Sequence, residues 1–159
     1  MKRLLALLSL AALCVAVPLQ AVDLTITPAS FVPGANAKFQ YGIAGATITA
    51  GQPVALNTTT NRYVLADANV AALVKVEGFA ANGASAGQPL AVLVEDDDLT
   101  LGATLSMTAP IYVLSDTPGG VKPSADITTG DYPVVLLIAK STTKCILRPR
   151  VLAGTAAAQ

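Results

Sequence analysis

Apolar residues follow two different rhythms along this chain. From Leu4 to Val17 they run almost without a break, interrupted only by Ser9. After Ala21 they come in short stretches, alternating or continuous, set between Gly, Pro, Asn, Asp and Thr. No stretch beyond Val22 keeps a long helical period, so the pattern predicts strands separated by turns. The expected strands are Leu24–Thr27, Ala37–Tyr41, Pro53–Leu56, Arg62–Leu65, Leu73–Ala80, Pro89–Val94, Thr104–Met107, Ile111–Leu114, Tyr132–Ala139 and Lys144–Arg148. Within Leu73–Phe79, Val74 and Val76 point one way and Lys75 and Glu77 the other, as in a half-buried strand. Val134–Ala139 is apolar without alternation, which predicts a strand covered on both faces. Thr117-Pro118-Gly119-Gly120 reads as a tight turn, and Asp67–Leu73 as one capped helical turn. The expected fold is therefore all-β, a single compact β-barrel or β-sandwich domain over 37–152. An extended N-terminal arm (22–36) precedes it, and a flexible tail (153–159) follows.

The first 21 residues have the three parts of a secretory signal. Lys2 and Arg3 give a positive start, Leu4–Val17 an apolar middle, and Ala21 a small residue before an expected cut. The apolar middle is short for a membrane span, which needs about 20 such residues. Cys14 follows Leu13 rather than a small residue, which argues against a lipoprotein signal. The other reading of 1–21 is an over-extended gene start that happens to encode oily residues. In either case the mature chain is expected to have no membrane segment.

Composition sharpens the picture. Hydrophobic residues make up 53%, charged residues 13% and aromatics 4%, with no Trp and no His, so the apolar content is carried by small side chains. Without the leader there are 8 basic residues (10 − 2) against 10 acidic ones. No cluster of Lys and Arg marks a phosphate backbone as partner, so nucleic acid is not expected as a ligand. Cys145, flanked by Ile146 and Leu147, reads as a small buried hydrophobe.

Little in the chain suggests catalysis. The lack of His removes the usual general base and the commonest metal ligand. Ser141 and Lys144 could form a Ser–Lys pair, but such residues are ordinary before a strand. The run Glu95, Asp96, Asp97, Asp98 is the sharpest polar feature. Four carboxylates could help hold a hard cation, although the spacing is not that of a calcium loop. The favoured reading is a solvated loop that keeps an oily protein soluble. No cofactor and no enzymatic activity are expected. Lys140, Lys144, Arg148 and Arg150 give the last strand a basic edge, and Asn57-Thr58-Thr59 fits a glycosylation pattern.

Two fragments recur. Ala50-Gly51-Gln52-Pro53-Val54 is echoed by Ala86-Gly87-Gln88-Pro89-Leu90, and Tyr63–Asp67 by Tyr112–Asp116. Similar turn chemistry used twice is favoured over duplication of a hairpin unit, because the two echoes differ in spacing.

Seven segments carry a resemblance: "DLTITPASFVPG" (23–34), "GATITAGQPV" (45–54), "YVLADA" (63–68), "NGASAGQPLAVL" (82–93), "LGATL" (101–105), "YVLSDTPGG" (112–120) and "GDYPVVLLIAKSTT" (130–143). In this order they resemble a family of small tailed-phage virion proteins, described as head decoration (capsid cement) or other particle structural proteins. The resemblance implies a β-rich dimer or trimer bound non-covalently to the major capsid protein lattice, located on the capsid surface of the virion. It supplies no catalytic positions. The arm residues Val22, Asp23, Leu24, Thr25, Ile26, Phe31 and Val32, low in charge and carrying two prolines nearby, are expected to reach a neighbouring subunit. The leader departs from the family pattern, whose members start near Val22. It supports the alternative of an exported bacterial β-rich surface, filament or adhesion subunit, secreted or held at the cell surface. A carbohydrate-binding barrel is a weaker third reading, because four Tyr and three Phe without Trp supply few stacking platforms.

Overall fold

A computed structural model describes residues 22–152; the leader 1–21 and the tail 153–159 lie outside the described residues. Among the described residues the chain forms nine strands and two single turns of 3-10 helix. The strands are β1 (Lys38–Ile43), β2 (Pro53–Asn57), β3 (Arg62–Leu65), β4 (Val76–Ala80), β5 (Pro89–Thr100), β6 (Ile111–Leu114), β7 (Val121–Pro123), β8 (Val134–Ala139) and β9 (Lys144–Val151). They build one curled antiparallel sheet in the order β3-β2-β4-β5-β9-β8-β6-β7, with β1 added on β5. The fold is all-β, as the apolar pattern predicts.

Strand β5 is the spine. Its first half lies between β1 and β4, and its second half pairs with β9. A register irregularity between Asp96 and Leu99 lets one strand serve both halves, since a bulge bends and twists the strand that carries it. Two apolar clusters follow from this bend. Leu90 and Val92 of β5 pack with Ile48, Val54 and Tyr63 in the smaller one. Leu93 and Leu99 join Phe31, Phe79, Tyr112, Leu136 and Leu147 in the larger one.

The first sequence echo is more than a shared turn. Gly51 and Gly87 both sit at positive φ (89° and 86°), which Gly adopts without a Cβ penalty. Gln52 Oε1 accepts from Thr49 N–H (2.8 Å), and Gln88 Oε1 accepts from Ser85 N–H (2.7 Å). The spacing is 87 − 51 = 36, and the contacts between the two units obey it. Ile48 and Ala84 exchange backbone hydrogen bonds (2.8 and 2.9 Å). Ala44 N–H donates to Gln88 C=O (2.9 Å), and Ala80 N–H donates to Gln52 C=O (2.9 Å). The strand pairs match as well, Ile43–Pro89 with Phe79–Pro53 and Gly42–Leu90 with Gly78–Val54. Segments 42–56 and 78–92 are thus related by an internal two-fold axis through the Ile48–Ala84 bridge. Seven of their 15 aligned residues are identical. The second echo, Tyr63–Asp67 and Tyr112–Asp116, does not obey this axis: it has a different offset and sits on β3 and β6, in different halves.

Several local expectations need correction. Leu24–Thr27 is extended but joins no ladder, meeting its neighbours through Leu24 N–H to Val121 C=O (2.7 Å) and Thr27 N–H to Gly102 C=O (2.9 Å). Thr104–Met107 is irregular: Leu105 is buried, and Ser106 N–H donates to the Tyr112 hydroxyl (2.6 Å). Strand β4 starts at Val76, because Val76 N–H turns back on Val74 C=O (2.9 Å). Asp67 makes its capping bond to Asn69 N–H (2.8 Å), but the segment continues as successive turns, not a helix. Val134–Ala139 is not covered on both faces, since Ile138 is 45% exposed. The turn at Thr117–Gly120 forms as expected, with Gly120 N–H donating to Thr117 C=O (2.8 Å) and Gly119 at positive φ.

Candidate interaction surface

The acidic run is neither a loop nor a cluster converging on one point. Glu95, Asp96, Asp97 and Asp98 all lie within β5, and each has its own partner. Glu95 pairs with Lys38 (2.6 Å), Asp97 with Arg148 (2.8 Å), and Asp98 with Lys140 (3.0 Å) and Lys144. Asp96 points inward and is 2% exposed. Its Oδ2 accepts from Gly34 N–H (2.6 Å), and its Oδ1 from Asp98 N–H (2.9 Å). Hydrogen bonds from Lys144 and Lys140 hold the Asp98 carboxyl below the usual range, and one from Lys38 does the same for Glu95. Lys140, Lys144 and Arg148 of the basic edge are therefore counter-charges of β5, while Arg150 makes no ion pair among the described residues. The expectation of a solvated loop is corrected: charge pairing across the ladder lets four adjacent carboxylates sit in a strand. Among the described residues, no three His, Cys, Asp or Glu side chains gather as metal ligands.

Asp96 also fixes the arm. Val32 and Thr100 exchange backbone hydrogen bonds (2.9 and 3.0 Å), so the arm runs beside the second half of β5. Phe31 is 7% exposed and stacks on Phe79 with ring centroids 6.3 Å apart. Leu24 and Ile26 pack against the larger core cluster, while Asp23 is only partly exposed. Of the arm residues expected to reach a neighbour, Val22 (75% exposed), Thr25 and Val32 (54%) stay exposed. The arm is thus a docked part of its own domain, with the turn Thr27–Ser30 and residues Ala35 and Asn36 also left exposed.

The remaining polar candidates are committed to structure. Ser141 Oγ accepts from Lys144 N–H (3.0 Å) while the Lys144 ammonium turns to Asp98, so the two do not form a nucleophile–base pair. Asn57 Oδ1 accepts from Thr59 and Thr60 N–H (3.0 and 3.1 Å), closing the hairpin between β2 and β3. Cys145 is fully buried, and burial pushes its thiol up to about 12, far from the thiolate that reactivity needs.

Sequence reasoning missed Lys122, which looks like an ordinary surface residue beside Pro123. It is fully buried on β7, with its ammonium 2.8 Å from Asp131 and 3.2 Å from Asp116. Burial alone would push the Lys122 pKa down; hydrogen bonds to Asp131 and Asp116 outweigh it and hold the pKa above normal. Asp131 Oδ2 also accepts from Thr128 N–H (2.8 Å) and from the Thr128 hydroxyl (3.1 Å). This buried knot ties β7 to the loop before β8.

With those charges paired, β1 presents a row of exposed apolar side chains, as Ile111 and Ile138 also do as a pair across the β6–β8 ladder. Phe39 (38%), Tyr41 (79%) and Ile43 (38%) share one outward face, and no charged residue lies between 39 and 43. Across the ladder they face Leu93, Ala91 and Pro89. Alternation over Ala37–Tyr41 was the available sequence signal, but it does not tell an outer apolar face from an inner one. Comparison with family models, with curated proteins and with solved structures gives no match for this chain.

Proposed function

We propose that the chain is a virion structural protein that decorates or cements a phage capsid through non-covalent contacts, and that it is not an enzyme. The observation that carries this reading is the exposed, charge-free face of β1 on a domain whose acidic run and basic edge neutralise each other. A surface of that kind suits repeated, modest contacts with a protein lattice. Cementing needs only a small interface per copy, because many copies across neighbouring capsomers add up. The partners on this reading are the major capsid protein lattice and other copies of the chain. The test is to add the purified protein to heads that lack it. The expected result is saturable binding at a fixed ratio to the shell subunit, with heads that rupture at a higher temperature. Heads that take up none of the protein contradict the reading.

The signal-like residues 1–21 favour a second reading, an exported bacterial surface or filament subunit. Intact mass of the protein from its native source separates the two. A chain starting at Val22 after cleavage supports export, whereas Met in place of Val22 supports initiation there and the capsid reading.

A further inference from the structure

The edge of β1 has an unused row of backbone groups, and the ladder shows which ones. Opposite Tyr41 sits Ala91 of β5. Ala91 N–H donates to Asn82 Oδ1 (2.7 Å), and Ala91 C=O accepts from Ala81 N–H (2.8 Å), both on the β4 side. In an antiparallel pair, opposed residues either face each other with both groups or turn both away. Tyr41 N–H and C=O therefore point away from β5, and alternation sends those of Phe39 the same way. On that side, the backbone of β3 meets the chain only past the end of β1, through the Ala44–Tyr63 bridge and Gly45 N–H to Tyr63 C=O (2.7 Å). The Tyr63 side chain covers Gly42, and its hydroxyl donates to Gln40 Oε1 (3.4 Å) without using a backbone group of the edge. Among the described residues no strand pairs with Lys38–Gly42 along this edge. The segment has no Pro, and its one charge, Lys38, is held by Glu95. Of the usual guards of an open edge, β1 has only a register irregularity between Lys38 and Phe39, outside the stretch Phe39–Tyr41.

We propose that β1 pairs, antiparallel, with β1 of a second copy of this chain about a two-fold axis through Gln40. The segment is self-complementary in that register. Phe39 lies opposite Tyr41 of the copy, so the outward backbone groups of both exchange hydrogen bonds and the two aromatic rings share one face. Lys38 lies opposite Gly42, so no like charges meet. Beyond Gly42 the register ends where β3 takes over the edge, which centres the open stretch on Gln40. A two-fold pairing closes on itself and gives a dimer rather than a filament. Five residues a side fall well short of the roughly 800 Å² per partner of a standard interface, so the dimer is weak and forms at high local concentration. The inference does not depend on the capsid reading.

Sedimentation velocity of the full chain over a dilution series reaching the millimolar range provides the test, with Tyr41→Asp beside it. The expected result is a monomer–dimer equilibrium whose association weakens at least about tenfold in Tyr41→Asp, with far-UV circular dichroism unchanged. Gln40→Cys, oxidised at high concentration, is expected to give a cross-linked dimer absent from the parent chain. A monomer throughout, an association untouched by Tyr41→Asp, or a Gln40→Cys protein without the cross-link overturns the proposal. So does a chain that is monomeric in solution and gains amide-exchange protection on β1 only when bound to heads, which assigns the edge to a different partner. Should Tyr41→Asp fail to fold, the Gln40→Cys cross-link decides.

Discussion

Lys122 and Asp131 show how much of this fold rests on single side chains. A buried ammonium held by a buried carboxylate is costly to break from one side, because the partner is left charged and uncompensated. Lys122→Ala is therefore expected to lower stability by about 3–5 kcal/mol, read from the urea midpoint at constant slope. A loss below about 1 kcal/mol would mean that water reaches the site. None of this was legible beforehand, since a Lys in a three-residue strand beside Pro carries no apolar signature. Gly51 and Gly87, by contrast, were visible as an echo, and the internal axis makes them a matched pair. An Ala at either position costs about 1–2 kcal/mol, because at positive φ its Cβ crowds the following carbonyl oxygen. An added Cβ at Gly87 meets nothing within 4 Å, whereas at Gly51 it meets Ile26 Cγ2 at 2.6 Å. Gly51→Ala is expected to cost about 1–3 kcal/mol more than Gly87→Ala, as overpacking against the arm. Equal losses in thermal unfolding would show that Ile26 does not press on that turn.

Among the elements, β5 and the arm carry the largest departures from the sequence reading. Strand placement was legible wherever apolar residues alternate or cluster between turn residues, as for β2, β3, β6 and β8. Strand β5 was cut short at Val94 because four acidic residues in a row oppose strand formation locally. The counter-charges that permit it come from Lys38, Lys140, Lys144 and Arg148, which are remote in sequence. The carboxyls of Glu95 and Asp98 are held below their unfolded range, so their contribution is present above about pH 3.9–4.3 and fades as pH falls through the lowered folded values. Stability is expected to drop on acidification in that window, with a shallower drop in Asp98→Asn; an identical acid profile would show these pairs to be fully screened by solvent. The arm was legible as extended, but not as docked, because Phe31 finds Phe79 only through the tertiary fold. Phe31→Ala is expected to cost about 3–5 kcal/mol, as for other buried aromatics, and a loss under about 1 kcal/mol would place the ring outside the core.

Over the whole molecule, the two-fold repeat of 42–56 and 78–92 organises one end of the sheet, and the acidic–basic ladder between β5 and β9 fastens it to the other. The result is a domain whose acidic run is paired with basic side chains at its surface, while Phe39–Ile43 of β1 carries no charge. All-β architecture was legible from composition and turn residues. The location of the charge-free face was not, because inner and outer apolar faces alternate with the same period. A capsid-decorating role requires this domain to be a fixed component of a particle. The deciding measurement is quantitative mass spectrometry of virions purified to constant composition from the native source. The account predicts the chain in a constant copy ratio to the major shell subunit through successive purification steps. Its absence from particles, with recovery in the cell envelope or the medium instead, would contradict the account.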